Sequence, residues 1–358
     1  MSTGFKVIRN QLEKTGIGQI LRLDGLTEVA VNQPGKIWFE RGKGWENIVN
    51  EDCNYSNLEL LAQGLSVKSN TGGVDQDYEA AKPIHSVTLP DGERGQIIMP
   101  PAAEERTISF TIRKPSKSRF DLASYINSGR LSNFEICGRV YDQVKELTND
   151  QLQLHSLLKQ RDMDRFFKKS VEMKLNHVMV GATGSGKTTF MKAIADLFPA
   201  NKRYITIEDT HELDLPNHPN HVHLFFKREG IGATAKDLIE AGMRMKPDHI
   251  FLTELRGDEA WNYLGMLNTG HGGSLTSTHA DDKPAAVYSR LSSLIKESRT
   301  GMTLDYGLIS NTVASTIDII SFWNGSYMSK IYYNPEEKNE AVARMLGMGI
   351  NPNSSVAA

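Results

Sequence analysis

The sequence contains very little cysteine: Cys53 and Cys137 are the only two among 358 residues. Two cysteines cannot form the several disulfides of a disulfide-rich secreted domain, and they cannot form a four-cysteine zinc module. The sequence favours two buried thiols in a reducing compartment over a disulfide. We therefore expect hydrophobic cores, rather than cross-links, to stabilise the chain.

Long apolar segments are also missing. No run approaches the roughly 18 residues that a membrane span requires, and residues 1–20 contain no apolar core of a signal peptide. The net charge is −2, so no global excess of positive charge favours nucleic acid. Internal repeats and low-complexity segments are absent too. Peripheral attachment to a membrane stays open, because bulk composition does not reveal local faces.

What the chain does have is ordinary globular composition, with 39% hydrophobic and 23% charged residues. Its length predicts two or three domains. The patterns place an N-terminal α+β domain at residues 1–117 and a linker with helical pieces at 118–152. They place a P-loop α/β domain with a mostly parallel sheet at 153–335, and a tail at 336–358, the last eight residues of which we expect to be disordered.

Periodicity predicts the elements of these domains. In the first domain, alternating segments joined by glycine turns predict hairpins, and a helix over Asn57–Lys68 begins with Ser56 as its N-cap. In the second, strands alternate with helices, which favours a parallel sheet covered on both faces. One long helix over Leu154–Lys174 precedes this sheet. The segments Ile317–Phe322 and Tyr327–Tyr333 predict an antiparallel hairpin at a sheet edge.

The strongest motif is a complete G-x-x-x-x-G-K-[ST] phosphate loop between an apolar strand and a helix. Its glycines allow backbone N–H groups to surround phosphates, and the helix N-terminus adds partial positive charge. Lys187 would reach the β- and γ-phosphates of ATP, and the Thr188 hydroxyl would bind Mg²⁺. The loop residues are Gly181, Ala182, Thr183, Gly184, Ser185, Gly186, Lys187 and Thr188.

Two further strands end in acids. Glu208 and Asp209 follow one apolar strand, and Glu254 follows the next. Ligands of doubly wound sheets lie beyond the carboxyl ends of strands, so we expect Glu208 and Glu254 to polarise the attacking water or to hold Mg²⁺. Acids that merely cap a surface loop are the alternative, and a salt bridge between Arg256 and Glu259 is expected just beyond Glu254.

Histidines form two further patterns. A small-residue strand runs from Ser274 to Thr278 and ends in His279, which is placed to hydrogen-bond either the γ-phosphate or Glu254. His218, His221 and His223 form a second group, and His221 and His223 would share one face of a strand. No third zinc ligand is evident there from the sequence, so a structural role is favoured over a zinc site.

In this order, the four motifs resemble those of the secretion ATPase superfamily, and most closely the hexameric traffic ATPases of type IV secretion and conjugation. The matching segments are Gly181–Thr189, Ile205–Thr210, Glu254–Gly257 and Gly270–His279. The resemblance identifies them as the Walker A loop, which includes Thr189, the Asp box, an atypical Walker B and the His box. It also implies a RecA-like fold for the second domain.

The resemblance extends to strands of the first domain, at Leu89–Arg94 and Thr107–Pro115. In the family, two arginines at these positions approach the terminal phosphate, which implies that Arg94 and Arg113 act as arginine fingers. From the sequence alone, both would be solvated charges at strand edges. The absence of a cysteine-rich zinc module argues against the type II secretion branch.

The resemblance implies a homohexameric ring in the bacterial cytoplasm, peripheral to the inner membrane and working with other secretion-system subunits. Four functions remain open: a motor for substrate transfer or pilus assembly, a pilus assembly or retraction ATPase, a DNA translocase or helicase, and a nucleotide-gated scaffold. The charge of −2 gives contact with nucleic acid no support.

Overall fold

The computed structural model describes residues 3–69, 82–114, 119–138, 147–227 and 232–345. They form two compact units, one within Met1–Lys117 and one within Ser118–Arg228 and Ala233–Ala358. Within the described ranges, no helix is both long and apolar enough to cross a bilayer. Cys53 is a buried free thiol, and Cys137 is a half-buried one.

The N-terminal unit is built around an antiparallel sheet of six strands in the order β3-β2-β1-β6-β5-β4. Alternating side chains of these strands point into the core, as the period-two pattern predicts. The helices are α1 (Thr3–Lys14), α2 (Ile17–Leu21) and α3 (Tyr55–Ser69), and the strands are β1 (Glu28–Gln33), β2 (Lys36–Glu40), β3 (Trp45–Val49), β4 (Ile84–Thr88), β5 (Arg94–Ile98) and β6 (Ser109–Arg113).

Helix α3 begins two residues earlier than the sequence predicts. Ser56 lies inside the helix, so its prediction as the N-cap is wrong. The side chain of Asn54 accepts a hydrogen bond from the Asn57 backbone N–H at 3.0 Å, and its carbonyl accepts from Leu58 N–H at 3.0 Å. An asparagine in this position satisfies N–H groups of the first turn that have no partner within the helix.

The second unit contains two sheets that adjoin at β11 and β12. One has the order β10-β9-β11 and is parallel, and the other has the order β12-β8-β13-β14-β7. The strands are β7 (Glu135–Cys137), β8 (His177–Gly181), β9 (Tyr204–Glu208), β10 (His221–Phe225), β11 (His249–Leu252), β12 (Leu275–Thr278), β13 (Ile319–Asn324) and β14 (Tyr327–Tyr333).

Helices alternate with these strands and bury their apolar faces against the sheets. Strands β8, β9, β11 and β12 are buried along almost their whole length, as expected for parallel strands covered on both faces. The helices are α4 (Leu122–Asn127), α5 (Asn149–Lys159), α6 (Met163–Glu172), α7 (Lys187–Ala195), α8 (Ala235–Arg244), α9 (Glu259–Leu267), α10 (Pro284–Glu297), α11 (Tyr306–Thr316) and α12 (Pro335–Met345), with a 3-10 turn at Gly301–Thr303.

Three predictions about this unit are wrong. The expected single helix is two helices, α5 and α6, because the chain turns at Arg161 (φ 58°) and Asp162 caps α6. The hairpin β13–β14 is not at an edge, since β13 pairs with β8 and β14 pairs with β7. Strand β7 itself was not expected in the stretch leading to Asp150.

Two more predictions concern segments at the limits of the described residues. The tail from residue 336 begins as helix α12, which buries Ala341, whereas only a short helix from Glu340 was expected. The expected disorder of the last eight residues lies outside the described residues, as do residues 139–146 of the predicted linker and Pro115 at the end of β6.

Candidate nucleotide-binding site

The phosphate loop runs from the end of β8 to the start of α7, as the motif predicts. Gly181 and Gly186 have φ values of 154° and 93°, which side chains rarely allow. A Cβ on Gly181 would lie 2.4 Å from the Trp323 carbonyl oxygen, and one on Gly186 would lie 3.1 Å from Ser326 Cα. Only glycine therefore fits at these positions, where the backbone bends closely beneath the β13–β14 hairpin.

The loop presents polar groups to its own interior. Lys187 is buried and donates hydrogen bonds from Nζ to the carbonyls of Gly181 (2.7 Å) and Ala182 (2.8 Å). The buried Ser185 Oγ has no hydrogen-bond partner within the described residues. Ala182, Thr183 and Gly184, by contrast, are exposed at the rim of the loop, and Thr189 is half-buried in the first turn of α7.

The hydroxyl of Thr188 contacts a residue that the sequence reasoning missed. It donates a hydrogen bond to the Glu212 carboxylate at 3.0 Å. Glu212 is half-buried and follows Glu208 by four positions, in the loop after β9. A second acid close behind the strand-end acid was the signal that could have identified it, because that loop leaves the sheet at the carboxyl edge.

Glu208 lies deeper than predicted. Its side chain is 0% exposed. Oε2 accepts the backbone N–H groups of Glu212 and Leu213, both at 2.8 Å, and Oε1 accepts the Thr206 hydroxyl at 2.8 Å. Burial opposes its ionisation, but hydrogen bonds from His211, His223 and the two N–H groups outweigh it and lower the pKa to about 2. Glu208 is therefore a buried carboxylate that organises the loop carrying Glu212.

Glu254 is different, since it reaches the surface of the site with 16% of its side chain exposed. It pairs with Arg256, and its Oε1 lies 3.1 Å from Nε2 of His279. Of the two contacts expected for His279, the structure contains the one to Glu254. Burial and then the charge of Lys187 lower the pKa of His279.

The expected salt bridge between Arg256 and Glu259 is wrong. Glu259 is buried and accepts the backbone N–H groups of Arg256 (2.8 Å) and Gly257 (3.0 Å), so it holds the turn that leads into α9. The Arg256 guanidinium binds Glu254 instead, with the charges of Asp209 and Glu212 nearby. Burial opposes the charge of Arg256, but Glu254 together with the carboxylates of Asp209 and Glu212 raises its pKa.

The small polar residues of β12 hold these loops in place. The Ser277 hydroxyl donates to the Thr253 carbonyl at 2.9 Å, and the Thr278 hydroxyl donates to the Leu255 carbonyl at 3.0 Å. Both hydroxyls are buried, so the bonds fix the backbone on either side of Glu254. The serine and threonine pattern therefore positions Glu254 beside His279.

Arg94 and Arg113 lie in the N-terminal unit, on the neighbouring strands β5 and β6. The antiparallel register places them directly opposite each other, and Glu28 of β1 is opposite Arg113 on the other side. Both arginines are half-buried and alternate with core residues such as Ile97 and Ile112, so they share the outer face of the sheet. Like charges directly opposite in a sheet are destabilising.

The residues present fit a magnesium–nucleotide complex. Mg²⁺ takes oxygen ligands, and the Thr188 hydroxyl and Glu212 carboxylate offer two oxygens side by side. The unpaired Ser185 Oγ and the Lys187 ammonium face the inside of a loop whose two glycines leave no room for side chains. These are the donor types that phosphate oxygens require.

Comparison with known proteins gives consistent matches. The model of a family described as type II/IV secretion system protein matches residues 134–321. The type IV secretion system protein VirB11 of Brucella suis biovar 1 (strain 1330) is 38% identical over 325 residues, or 87% of each chain.

Solved structures show the same relationship. The crystal structure of the VirB11 ATPase from the Brucella suis type IV secretion system, in complex with sulphate, matches with a TM-score of 0.51 and 35% identity. That match covers 93% of this chain and 99% of that one. The Legionella pneumophila ATPase DotB matches with a TM-score of 0.57 over 96% and 87% of the two chains. At 14% identity, the DotB match concerns the fold alone. The predicted fold class is confirmed.

Proposed function

The chain belongs to the type II/IV secretion system protein family and is of the VirB11 type, and from this premise we propose that it is a Mg²⁺-dependent ATPase that works as a ring-shaped motor. The observation that carries the proposal is the convergence of Lys187, the Thr188–Glu212 pair and the Glu254–His279 pair at the carboxyl edge of one pair of sheets. The motor would drive substrate transfer or pilus assembly in a type IV secretion or conjugation system.

The phosphate loop binds the nucleotide in this proposal. Backbone N–H groups of Gly181–Thr189 surround the phosphates, and Lys187 exchanges its two carbonyl partners for phosphate oxygens. The Ser185 hydroxyl gains an acceptor that it does not have within the described residues. Binding would therefore give Lys187 anionic acceptors in place of neutral carbonyls and would give Ser185 a partner.

The three carboxylates of the site have different roles in this proposal. Thr188 and Glu212 hold Mg²⁺, which when bound neutralises charge on the phosphates. Glu254 orients the attacking water, and His279 keeps Glu254 in place at 3.1 Å. The sequence suggested Glu208 for metal or water contact, but its burial and its bonds to two backbone N–H groups support an indirect role toward the nucleotide. We assign Glu208 as the positioning residue for Glu212.

Arg94 and Arg113 would complete the site by stabilising developing charge on the terminal phosphate. Their support is the cross-strand register, which places the two arginines side by side on the outer face of the sheet, where both guanidinium groups can approach one anion. We propose that they act in a homohexamer, at the cytoplasmic face of the bacterial inner membrane, with other secretion-system subunits as partners. The name of the Brucella suis relative favours this system over pilus retraction.

The test is ATP hydrolysis measured as a function of protein concentration, with Lys187→Ala and Arg113→Ala beside the unmodified protein. We expect specific activity to rise with concentration and both substitutions to abolish it. Arg41→Ala is the matched control, since Arg41 is an exposed arginine of the same unit that pairs with Glu46 at 2.8 Å. It should retain full activity.

Other results would redirect the proposal. Activity that is independent of concentration, together with an active Arg113→Ala variant, would leave a self-sufficient ATPase without a ring. Stimulation by single-stranded DNA that weakens with salt would support a translocase instead. A Glu254→Gln variant that still supports secretion would indicate a nucleotide-gated scaffold.

A further inference from the structure

A second cluster of side chains lies behind the nucleotide site, on β9, β10 and the loop between them. Glu208, His211 and His223 place one ligand atom each within 4.8 Å of the other two. The grouping differs from the three histidines that the sequence suggested. His218 is buried with Nε2 against the Phe198 carbonyl, and His221 Nδ1 contacts the His218 carbonyl. The third ligand of the cluster, which the sequence did not reveal, is Glu208 at the end of β9.

The distances in this cluster match a tetrahedral metal site. Glu208 Oε1 lies 3.4 Å from Nδ1 of His211 and 3.5 Å from Nδ1 of His223. Zinc binds nitrogen and oxygen ligands at about 2.0–2.2 Å, so two ligands of a tetrahedron are separated by roughly 3.4 Å. Two of the three ligand separations thus already fit such a site, and the third, between the two imidazoles, lies within 4.8 Å, so an ion would draw the rings together. At these lengths, the contacts are weak as hydrogen bonds.

The donor set selects the type of ion. Two imidazoles and one carboxylate suit zinc, cobalt and related transition metals, whereas Mg²⁺ prefers oxygen ligands. Oε2 of Glu208 accepts two backbone N–H groups, which favour the ionised carboxylate that coordination requires. His211 is 47% exposed and His223 is 18% exposed, so an ion and a water as the fourth ligand can reach the site from solvent.

We propose that Glu208, His211 and His223 form a binding site for one transition-metal ion of the zinc class, separate from the magnesium that accompanies ATP. The metal would bind Oε1 of Glu208, which now accepts the Thr206 hydroxyl. Oε2 keeps its two hydrogen bonds to the N–H groups of Glu212 and Leu213. The Thr206 hydroxyl, which also lies 2.7 Å from Nδ1 of His223, would turn away from both ligand atoms when the ion binds.

This arrangement ties the metal to the loop after β9. The ion would fix one oxygen of Glu208 and both imidazoles, while the other oxygen holds the backbone that carries Glu212. Since Glu212 contacts Thr188 at 3.0 Å, metal binding would order the loop next to the phosphate site. The expected consequence is an increase in the thermal stability of the ATPase unit, because the ion binds the folded state and not the unfolded chain.

The experiment uses the full-length protein without nucleotide, in excess Mg²⁺. Zn²⁺ affinity is measured by competition with a chromophoric chelator, and Co²⁺ is used as a spectroscopic probe of coordination. We expect one ion per chain, the absorption of four-coordinate cobalt without a thiolate band, and an increase in the unfolding temperature. His211→Gln and His223→Gln should each weaken Zn²⁺ binding at least tenfold.

His271→Gln is the matched control, since it removes a half-buried histidine of the same unit that is outside the ligand set. It should bind Zn²⁺ as the unmodified protein does. His211 is exposed, so its substitution leaves the fold intact even if His223→Gln does not. Failure to bind one ion per chain, or unchanged affinity in His211→Gln, would overturn the proposal. Neither result would bear on ATP hydrolysis.

Discussion

The two ends of the parallel strands in the ATPase unit carry polar residues of similar type in very different states. At the amino end, Asn176, Asp318 and Ser274 each directly precede one of three neighbouring strands, and all three are buried. At the carboxyl end, Glu254 lies two residues beyond β11, His279 directly follows β12, and both reach solvent. Polar side chains of the same types therefore stabilise the fold at the amino end of the strands and are available to a ligand at the carboxyl end.

The amino end is a closed network. The Asn176 side-chain carbonyl accepts the backbone N–H groups of Gly273 (3.0 Å) and Ser274 (3.2 Å). The backbone N–H of Asn176 donates to the Asp318 carboxylate at 2.8 Å. His249 Nδ1 lies 2.9 Å from the Gly273 carbonyl. Buried polar groups that satisfy one another fix the strand order, and none of these atoms remains for a substrate.

Glu208 is the exception that makes the comparison useful. By position it belongs to the carboxyl end, but in burial and hydrogen bonding it resembles the amino end. A strand that ends in an acid thus does not by itself identify a catalytic group. Glu208 and Glu254 differ in whether backbone N–H groups of a loop already bind the carboxylate.

The sharpest test of this distinction is Glu254→Gln. The substitution removes the charge but retains the size, so the rate constant for ATP hydrolysis should fall about 10²–10³-fold. Nucleotide affinity should change only a few-fold, because the phosphate loop is intact. Single-turnover hydrolysis and equilibrium binding of a labelled nucleotide separate the two effects.

The control for this variant is Glu172→Gln, which changes an exposed carboxylate at the end of α6 (70% exposed). It should hydrolyse ATP normally. The thermal unfolding of Glu254→Gln should also match that of the unmodified protein. A Glu254→Gln variant with normal hydrolysis would show that the exposed strand-end acid is no more catalytic than the buried one.

Glu208→Gln should have the opposite signature. An amide cannot accept hydrogen bonds through both of its terminal atoms, so at least one buried donor loses its partner. We expect the ATPase unit to lose about 2–3 kcal/mol of unfolding free energy. Denaturant unfolding without nucleotide measures this loss independently of catalysis.

Glu212→Gln, four residues further along the same loop, is the matched comparison for stability. Its amide oxygen can still accept the Thr188 hydroxyl, so unfolding should change little while hydrolysis decreases. If Glu208→Gln proves as stable as Glu212→Gln, the buried carboxylate does not organise the loop, and its indirect role would have to be abandoned.

The sequence predicted the units of this fold better than their connections. Strand and helix alternation was clear wherever apolar residues followed one period, as in β1, β8 and α10. Strand β7 was missed because only three residues, Glu135–Cys137, form it, and its pairing with β14 is a long-range contact without a local signal. Helix α11 escaped because its serines and threonines weaken the pattern.

In the site, too, local motifs could be predicted from the sequence and long-range contacts could not. The phosphate loop is a contiguous motif whose glycines have local backbone reasons, so the sequence predicted its position between β8 and α7. The roles of Glu208 and Glu212 depend on which of two nearby carboxylates turns inward, and no periodicity records that choice. The contact between His279 and Glu254 was one of two expected, and it depends on the packing of β12 beside β11, while the contact of His279 with the γ-phosphate stays a prediction.

The smallest expected effect tests the amino end through His177, the first residue of β8. Burial lowers its pKa from 6.5 to about 3, and Nε2 contacts Ser170 Oγ at 3.1 Å. The unfolded chain therefore binds a proton that the folded one excludes, and stability falls as pH decreases from 6.5 towards 3, by at most about 1.4 kcal/mol per pH unit. His177→Gln should flatten this dependence between pH 7 and 5, measured by denaturant unfolding of the ATPase unit, whereas His221→Gln, which removes an exposed imidazole, should not. If the unfolding free energy of His177→Gln depends on pH as steeply as that of the unmodified protein, the amino end of the strands admits water. Exclusion of water would then not distinguish the amino end from the carboxyl end.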